Sequence, residues 1–433
     1  MNQLEEIAPT AESAILVGLR LPGMSRFEAQ ETMNELALLA DTAEAKVVDR
    51  VVQERKSVDH TSFIGRGKAE ELAARTKELG AKLLIFDDDL SPAQVRALEN
   101  LTGVKIIDRS RLILDIFAKR ARTRESQTQV ELAQLNYLLP RLTRQWTHLS
   151  RQQAGHGGAT GGIGTRGPGE TQLEVDRRAI RSRIGTLKKA LDRIRRQREV
   201  GRKSRIHETC VALVGYTNAG KSTLLRALSG ADVLIEDRLF ATLDSTTRSV
   251  AVGYNREILL TDTVGFIRKL PHHLIASFRS TLEEALQADL LLHVVDASHP
   301  ACEDQIAAVF ETLEELGISE NPTLIVFNKT DQFEDRAKET DLRSAYPNSV
   351  WISALTGQGL TDLKRAIYDW LGSERVTLSL RIPQAEGKLL SELHRLGEVL
   401  STRYSDNDVL IRVTLRAPDA RSILPDGRYQ ITS

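Results

Sequence analysis

Residues 215–222 read Gly215-Tyr216-Thr217-Asn218-Ala219-Gly220-Lys221-Ser222, between an apolar run at 211–214 and a helix-forming run that begins with Thr223. This strand–loop–helix arrangement fits the pattern GxxxxGK[ST], in which the backbone N–H groups of a glycine-rich loop surround a polyphosphate. The N-terminus of the following helix adds partial positive charge at the same point. We expect Lys221 to reach the β- and γ-phosphates and the Ser222 hydroxyl to ligate Mg²⁺.

A second motif, Asp262-Thr263-Val264-Gly265, ends the strand-like run 257–261. The carboxylate of Asp262 can hold the metal ion through water. The amide of Gly265 can face the γ-phosphate, where a side chain would obstruct the approach. These residues predict the phosphate and metal side of a nucleotide site.

Two later motifs concern the base. Asn328-Lys329-Thr330-Asp331 follows the apolar run 324–327, and Ser353-Ala354-Leu355 follows the run 350–352. The Asp331 carboxylate can accept hydrogen bonds from N1 and N2 of guanine, Asn328 and Lys329 can brace the base and the loop, and the backbone amides at 353–355 can lie near O6. Each motif alone fits an ordinary turn after a strand. Four in this order, at the carboxyl ends of strands, predict a site for GTP or GDP.

The composition sets the class of protein. The chain of 433 residues is long enough for two to four domains, and 41% hydrophobic and 27% charged residues are typical of a soluble globular protein. Cys210 and Cys302 indicate reduced thiols, not a disulfide framework. No apolar run reaches about 18 residues, and the first residues lack the apolar region of a signal peptide. We expect a cytoplasmic protein with no membrane span and no structural metal.

The formal net charge of zero conceals a basic block. Residues 120–205 hold 20 Lys and Arg against 7 Asp and Glu, a balance of +13, so the remainder carries −13. Two apolar stripes with steps of three and four predict an antiparallel helical hairpin here, kinked at Pro140, and eight glycines lie in its connection at 155–169. Two core helices with a flexible linker fit the periodicity equally well. The basic excess favours nucleic acid as the partner.

The remaining patterns complete the architecture. Strand-like runs at 14–19, 45–48, 82–86 and 104–107 alternate with helical stretches and predict a parallel α/β unit. Runs at 377–380 and 409–415 flank a predicted helix at 387–400. The expected fold class is α/β, with an N-terminal α/β subdomain at 1–125, the hairpin at 126–205, a P-loop GTPase domain at 206–374 and a small α+β domain at 375–433.

The four motifs, together with the segment GGIGTRGPGETQLE at 161–174, resemble the HflX family of translational GTPases over nearly the whole chain. The glycine–arginine segment is the more specific marker, because many families share the GTPase motifs. The resemblance implies binding to the large ribosomal subunit, and we expect residues 126–205 to contact that subunit and its ribosomal RNA. We also expect a monomer, although the sequence leaves the oligomeric state open. The resemblance also implies GTP-dependent splitting or rescue of stalled ribosomes.

The resemblance places switch I, the loop that responds to the γ-phosphate, at 240–248. Its first residues are Phe240-Ala241-Thr242-Leu243-Asp244, and Ser245 stands where the family usually has proline. Thr242, Thr246 and Thr247 compete for the Mg²⁺ position. Related GTPases place that threonine about twenty residues from the loop hydroxyl and from the metal aspartate. Thr242 lies 20 residues from Ser222 and from Asp262, so we choose it and expect Lys221, Thr242 and Gly265 to act in catalysis.

The sequence alone leaves open the roles of two residues and two alternative functions. Phe266 follows Gly265, where Ras-like enzymes carry a glutamine that orients water, so we expect slow intrinsic hydrolysis completed by another group or by the ribosome. Asn218 matches an asparagine with which similar GTPases hold K⁺, and hydrogen bonding within the loop is an equal alternative. A ribosome-assembly switch and an RNA-binding or remodelling protein regulated by GTP are the alternative functions.

Overall fold

The computed structural model of the protein describes residues 12–154, 168–203, 208–230, 238–253, 256–269, 271, 284–318, 321–333, 335–373, 375–405, 407–416 and 420, with side chains placed for all of these except 143–154, 168–173, 199–203, 373, 375 and 416. The predicted glycine-rich connection lies almost entirely outside these residues. Among them, no helix combines the length and the hydrophobicity needed to cross a membrane.

Four parallel strands form the N-terminal sheet in the order β2-β1-β3-β4, as the alternating pattern predicts. Serine caps begin two of its helices, at Ser25 and Ser91, and left-handed glycines end two, at Gly80 and Gly103. The elements are β1 Ser13–Arg20, α1 Arg26–Thr42, β2 Lys46–Glu54, α2 Arg66–Leu79, β3 Leu83–Phe86, α3 Pro92–Thr102, β4 Lys105–Asp108 and α4 Arg109–Arg120.

Two long helices, α5 Arg124–Ala154 and α6 Pro168–Lys203, pack against each other in the basic block. Arg183 donates two hydrogen bonds to Glu131, at 2.7 and 2.8 Å, and Arg198 pairs with Glu125 at 2.8 Å. Higher numbers on α6 thus meet lower numbers on α5, which confirms the antiparallel pairing. α5 continues through Pro140, and the kink there stays a prediction.

The GTPase domain has a six-stranded sheet in the order β10-β9-β8-β5-β7-β6, in which only β6 runs antiparallel to its neighbour. Parallel strands place their carboxyl ends at one edge, where the predicted motifs follow β5, β7, β9 and β10. The elements are β5 Thr209–Gly215, α7 Lys221–Ser229, β6 Thr246–Gly253, β7 Arg256–Asp262, β8 Leu290–Asp296, α8 Cys302–Glu315, β9 Thr323–Asn328, α9 Arg336–Ala345, β10 Val350–Trp351 and α10 Leu360–Ser373.

The C-terminal unit is an antiparallel sheet in the order β11-β13-β12 with a helix between β11 and β12, and it corrects one prediction. The helix predicted to reach residue 400 ends at Leu396, because the chain enters a strand after Gly397. A Cβ atom at Gly397 would lie 2.4 Å from Val413, so the strand approaches closely there. The elements are β11 Arg375–Pro383, α11 Gly387–Leu396, β12 Glu398–Ser405 and β13 Asp408–Arg416.

One buried apolar cluster joins the first three parts of the chain. It contains Phe117 of α4, Val130 of α5, and Phe240 and Phe266 beside the predicted phosphate site. The rings of Phe117 and Phe240 meet edge to face with centroids 4.7 Å apart, an arrangement that contributes about 0.5–1.5 kcal/mol beyond its buried area. Switch I therefore packs directly on the N-terminal unit.

Candidate nucleotide site

The glycine-rich loop requires its glycines at both ends. Gly215 has φ +147°, and a Cβ atom there would lie 2.2 Å from the carbonyl oxygen of Val294. Gly220 has φ +91°, and its Cβ atom would lie 2.3 Å from Nδ2 of Asn328. Any larger residue would push the loop away from β8 or from the guanine motif. The loop is held closed by steric fit as well as by hydrogen bonds.

Lys221 is folded back onto the loop. Its Nζ donates to the carbonyl oxygens of Gly215 at 3.1 Å and Tyr216 at 2.7 Å. Burial lowers the pKa of Lys221 to about 8, although Asp262 opposes that shift. A buried ammonium with two carbonyl partners is ready to exchange them for phosphate oxygens, which carry more negative charge.

Three oxygen-bearing side chains converge beside the loop. Ser222 Oγ donates to Asp262 Oδ2 at 2.6 Å, Thr242 Oγ1 donates to the same atom at 3.1 Å, and the two hydroxyls lie 2.8 Å apart. Thr247 instead pairs with Thr261 at 2.9 Å on the neighbouring strands. The structure thus brings Thr242, the threonine chosen from the spacing, to the predicted metal ligands.

Asn328 connects the loop to the guanine motifs. Its Nδ2 donates to the carbonyl oxygen of Ala219 at 2.9 Å, and its Oδ1 accepts from the amide of Ala354 at 2.9 Å. Lys329 has φ +61° and pairs with Asp296 at 2.7 Å. The carboxylate of Asp331 carries no hydrogen bond to a described residue, and Asp331 lines the cavity beside the loop.

These groups surround a cavity of about 470 Å³, which is large enough for a nucleotide. Its walls include most of the predicted residues, namely Thr217, Asn218, Gly220, Lys221, Ser222, Thr223, Phe240, Ala241, Thr242, Thr263, Gly265, Asn328, Lys329, Asp331, Ala354 and Leu355. Arg238 and Gln332 also line the cavity, and the sequence analysis missed them. Gln332 directly follows the guanine motif, so its position was a usable signal, whereas Arg238 follows no pattern.

Other predicted residues stand behind the wall. Seven predicted residues do not line the cavity: Leu243, which is buried in the shared apolar cluster, and Gly215, Ala219, Asp262, Val264, Thr330 and Ser353. Thr263 Oγ1 donates to the carbonyl oxygen of Leu213 at 2.6 Å, which ties β7 to β5. The structure directs two further predicted residues, Tyr216 and Asp244, away from the cavity.

Tyr216 and the segment 265–269 contact a buried charged network of the N-terminal unit. The Tyr216 hydroxyl donates to Glu35 and accepts from the amide of Arg268 at 2.8 Å. Arg109, 1% exposed, donates to Glu35, to Asp87 at 2.7 Å and to the carbonyl oxygen of Arg268 at 3.0 Å. Because these partners lie up to 181 residues apart, no local pattern reveals them.

Lys269 extends this network to the N-terminal sheet. Its Nζ pairs with Asp87 at 2.6 Å and Asp88 at 2.7 Å, at the carboxyl end of β3. Open parallel sheets usually bind ligands at such an edge. Here the edge holds the segment that follows Gly265.

Comparisons with known proteins agree with this site. Residues 210–329 match a family model described as 50S ribosome-binding GTPase, residues 30–118 one described as GTP-binding GTPase N-terminal, and residues 120–205 one described as GTP-binding GTPase Middle Region. The GTPase HflX of Escherichia coli (strain K12) is 45% identical over 410 residues, which cover 94% of this chain and 94% of that protein.

The chain belongs to the HflX GTPase family. GTPase HflX of Lacrimispora saccharolytica is likewise 45% identical, over 95% of both chains. A solved GTP-binding protein from the archaeon Sulfolobus solfataricus, in complex with GDP, is 25% identical and covers 84% of this chain and 99% of its own, with a TM-score of 0.42. Membership confirms the resemblance found in the sequence and makes this HflX-family protein a GTPase.

The donor set of this HflX-family GTPase fits Mg²⁺. All three converging side chains offer hard oxygen atoms, which Mg²⁺ prefers. Asp262 is fully buried, and its Oδ1 has no hydrogen-bond partner among the described residues. A buried carboxylate oxygen without a partner is costly unless a ligand completes it. Ser222 and Thr242 would hold the ion directly, and Asp262 would hold it through water.

Proposed function

We propose that this HflX-family GTPase binds the large ribosomal subunit and ribosomal RNA through residues 126–205, under control of its nucleotide, and acts in splitting or rescuing stalled ribosomes. Support comes from the family model described as 50S ribosome-binding GTPase and from the basic hairpin. In this proposal the protein works as a cytoplasmic monomer with four domains, at 1–125, 126–205, 206–374 and 375–433.

One observation carries the proposed control: switch I holds the start of the hairpin. Asp244 accepts hydrogen bonds from the amides of Arg122 at 3.1 Å and Thr123 at 3.2 Å and from Thr123 Oγ1 at 2.5 Å. Burial raises the pKa of Asp244, but these hydrogen bonds outweigh it and hold that pKa below its usual range. The Asp244 carboxylate thus holds the two residues that precede α5, and it lies two residues from Thr242.

The hairpin offers a surface for phosphates. The exposed basic residues of α6 that form no ion pair with a described residue are Arg178, Arg181, Lys188, Lys189, Arg193 and Arg196. Leu187 is buried in the seam, so the apolar stripe serves the helix pair while the basic residues face outward. Phosphate contacts by such residues release counterions and give binding that weakens steeply as salt rises.

The proposed hydrolysis is an in-line attack of water on the γ-phosphate. Lys221 and the loop amides bind the phosphates, and the amide of Gly265 faces the γ-phosphate. Ser222 and Thr242 would hold Mg²⁺, which would neutralise negative charge on the phosphate groups. Asn218, exposed with φ +60°, is the residue we propose for K⁺. Replacing K⁺ by Na⁺ in a hydrolysis assay tests that assignment.

Co-sedimentation with 50S subunits tests the proposed function. We expect strong binding with a non-hydrolysable GTP analogue, weaker binding with GDP, and a steep loss of binding as salt rises. Neutralising Arg181, Lys188 and Lys189 together should weaken binding in every nucleotide state, whereas neutralising Arg336, Lys364 and Arg365 on the GTPase domain is the matched control. Equal binding in the empty, GDP and GTP-analogue states would reject nucleotide control.

Sucrose gradients test the cellular role. Splitting or rescue predicts that the protein and GTP convert stalled 70S ribosomes into subunits. Accumulation of precursor particles in cells that lack the protein, with no effect on 70S ribosomes, would favour the assembly role instead.

A further inference from the structure

We infer that the Thr217 hydroxyl orients the attacking water in this GTPase. The inference rests on the proposed GTP site and deepens it. In Ras-like enzymes a glutamine after the switch glycine performs this task, and here Phe266 occupies that position, 2% exposed and apolar. Another polar group must therefore lie beside Gly265 if the chain supplies one.

The backbone fixes Thr217 against Gly265. The amide of Thr217 donates to the carbonyl oxygen of Phe266 at 2.7 Å, and the amide of Phe266 donates to that of Gly215 at 3.0 Å. A Cβ atom on Gly265 would lie 2.8 Å from Cα and 2.9 Å from Cγ2 of Thr217, and 2.9 Å from Nζ of Lys221. Thr217 thus adjoins both groups that are proposed to contact the γ-phosphate.

The hydroxyl itself lacks a protein partner. Thr217 is only 6% exposed, and its Oγ1 has no hydrogen-bond partner among the described residues, although the residue lines the nucleotide cavity. A buried hydroxyl left unpaired costs on the order of 1–3 kcal/mol. The side-chain atom next to Gly265 is the methyl carbon Cγ2, so a rotation about the Cα–Cβ bond would turn the buried hydroxyl toward the cavity, where a ligand would supply the missing partner. Valine would fill the same space without this cost.

Three neighbouring polar side chains are engaged elsewhere. Thr263 bonds to Leu213, Tyr216 bonds to Glu35, and Thr242 belongs to the metal cluster. In the proposed step the water oxygen bonds to the γ-phosphorus, and the bond to the β,γ-bridging oxygen breaks with its electron pair left on GDP. Both protons of the water leave with the released phosphate, as H₂PO₄⁻. Thr217 Oγ1 accepts a hydrogen bond from the water and is not consumed.

Thr217→Val and Thr217→Ser form the test pair, since the first removes the hydroxyl at constant shape and the second keeps it. Single-turnover hydrolysis and the affinity for a fluorescent GTP analogue are measured for both. For Thr217→Val we expect hydrolysis to fall at least tenfold, affinity to change less than threefold, and the thermal midpoint of the nucleotide-free protein to equal or exceed that of the wild type. Thr217→Ser should keep the hydrolysis rate within about threefold.

A Thr217→Val rate equal to that of the wild type would overturn the inference, as would an equal loss in Thr217→Ser. Failure of the proposed site gives a different result, because the wild type itself would then bind and hydrolyse GTP no better than ATP.

Discussion

The guanine side and the phosphate side of the cavity are held in different ways. On the guanine side, Asn328 joins Ala219 to Ala354 and Lys329 pairs with Asp296, all within the GTPase domain. On the phosphate side, Tyr216 contacts Glu35 and Phe240 contacts Phe117, both in the N-terminal unit.

This difference separates recognition of the base from control by the γ-phosphate. Base selection needs only loops that do not move, so local contacts within one sheet edge suffice. The γ-phosphate acts on segments that must change position, and these segments contact α1, α4 and α5. We expect a nucleotide-dependent movement at 240–248 or 265–269 to be transmitted to the N-terminal unit and the hairpin, because Phe240 packs on Phe117 and Arg268 is bonded to Arg109.

The largest effect should come from Arg109, the buried charge on the phosphate side. Arg109→Met leaves the Glu35 carboxylate without its cation and Asp87 with Lys269 alone, so we expect the free energy of unfolding to fall by about 3–5 kcal/mol. Arg111→Met on the same helix removes only a half-exposed pair with Asp115 and should cost less than about 1 kcal/mol. Urea denaturation measures the free energy of unfolding of both variants. Equal losses would show that the charged network around Arg109 does not stabilise the contact between the N-terminal unit and the GTPase domain.

Asp331→Asn should have the next largest effect and stay confined to the guanine side. The amide cannot accept both guanine donors, so we expect GTP affinity to fall on the order of 10³-fold. Xanthosine triphosphate, which carries an oxygen at C2, should bind the variant better than GTP does. Asp335→Asn, which alters only the cap of α9, is the control. A variant that keeps wild-type preference for GTP would remove Asp331 from the site.

The sequence predicted the guanine side better than the phosphate side, for a physical reason. Asn328, Asp331 and Ala354 belong to short motifs whose backbone geometry is local, so their spacing located them. The partners of Tyr216 and Asp244 depend on how the N-terminal unit packs, and Asp244 was expected at the nucleotide but contacts Thr123 instead. Likewise the helix predicted through Gly397 failed because contact with Val413 overrode the local pattern.

Asp244→Ala should reduce the coupling between nucleotide and hairpin by a smaller amount. Loss of the hydrogen bonds to this carboxylate costs about 1 kcal/mol, so the ratio of 50S affinities with GTP analogue and GDP should fall about fivefold. GTP affinity of the isolated protein should change little, since Asp244 does not line the cavity. Glu257→Ala removes a hydrogen bond to Ser249 within the GTPase sheet and is the control. An unchanged ratio in Asp244→Ala would place the coupling elsewhere on the phosphate side.

The smallest effect at neutral pH concerns the protonation of Lys221. Its pKa of about 8 in the nucleotide-free protein lies below the ordinary value because burial disfavours the ammonium. A bound triphosphate favours the ammonium and raises that pKa, so binding above pH 8 takes up a proton. We expect the logarithm of the GTP association constant to fall with a slope approaching −1 above pH 8, and to be flat with respect to this group below about pH 7.

Calorimetry in buffers of different ionisation enthalpy measures this proton uptake directly. Lys221→Arg is the matched variant, because a guanidinium stays charged throughout the range and the comparison also cancels titration of the ligand itself. Proton uptake should be present in the wild type and absent in the variant. Identical uptake in both proteins would mean that Lys221 is already fully charged before the nucleotide binds, and that burial on the phosphate side does not disfavour its ammonium form.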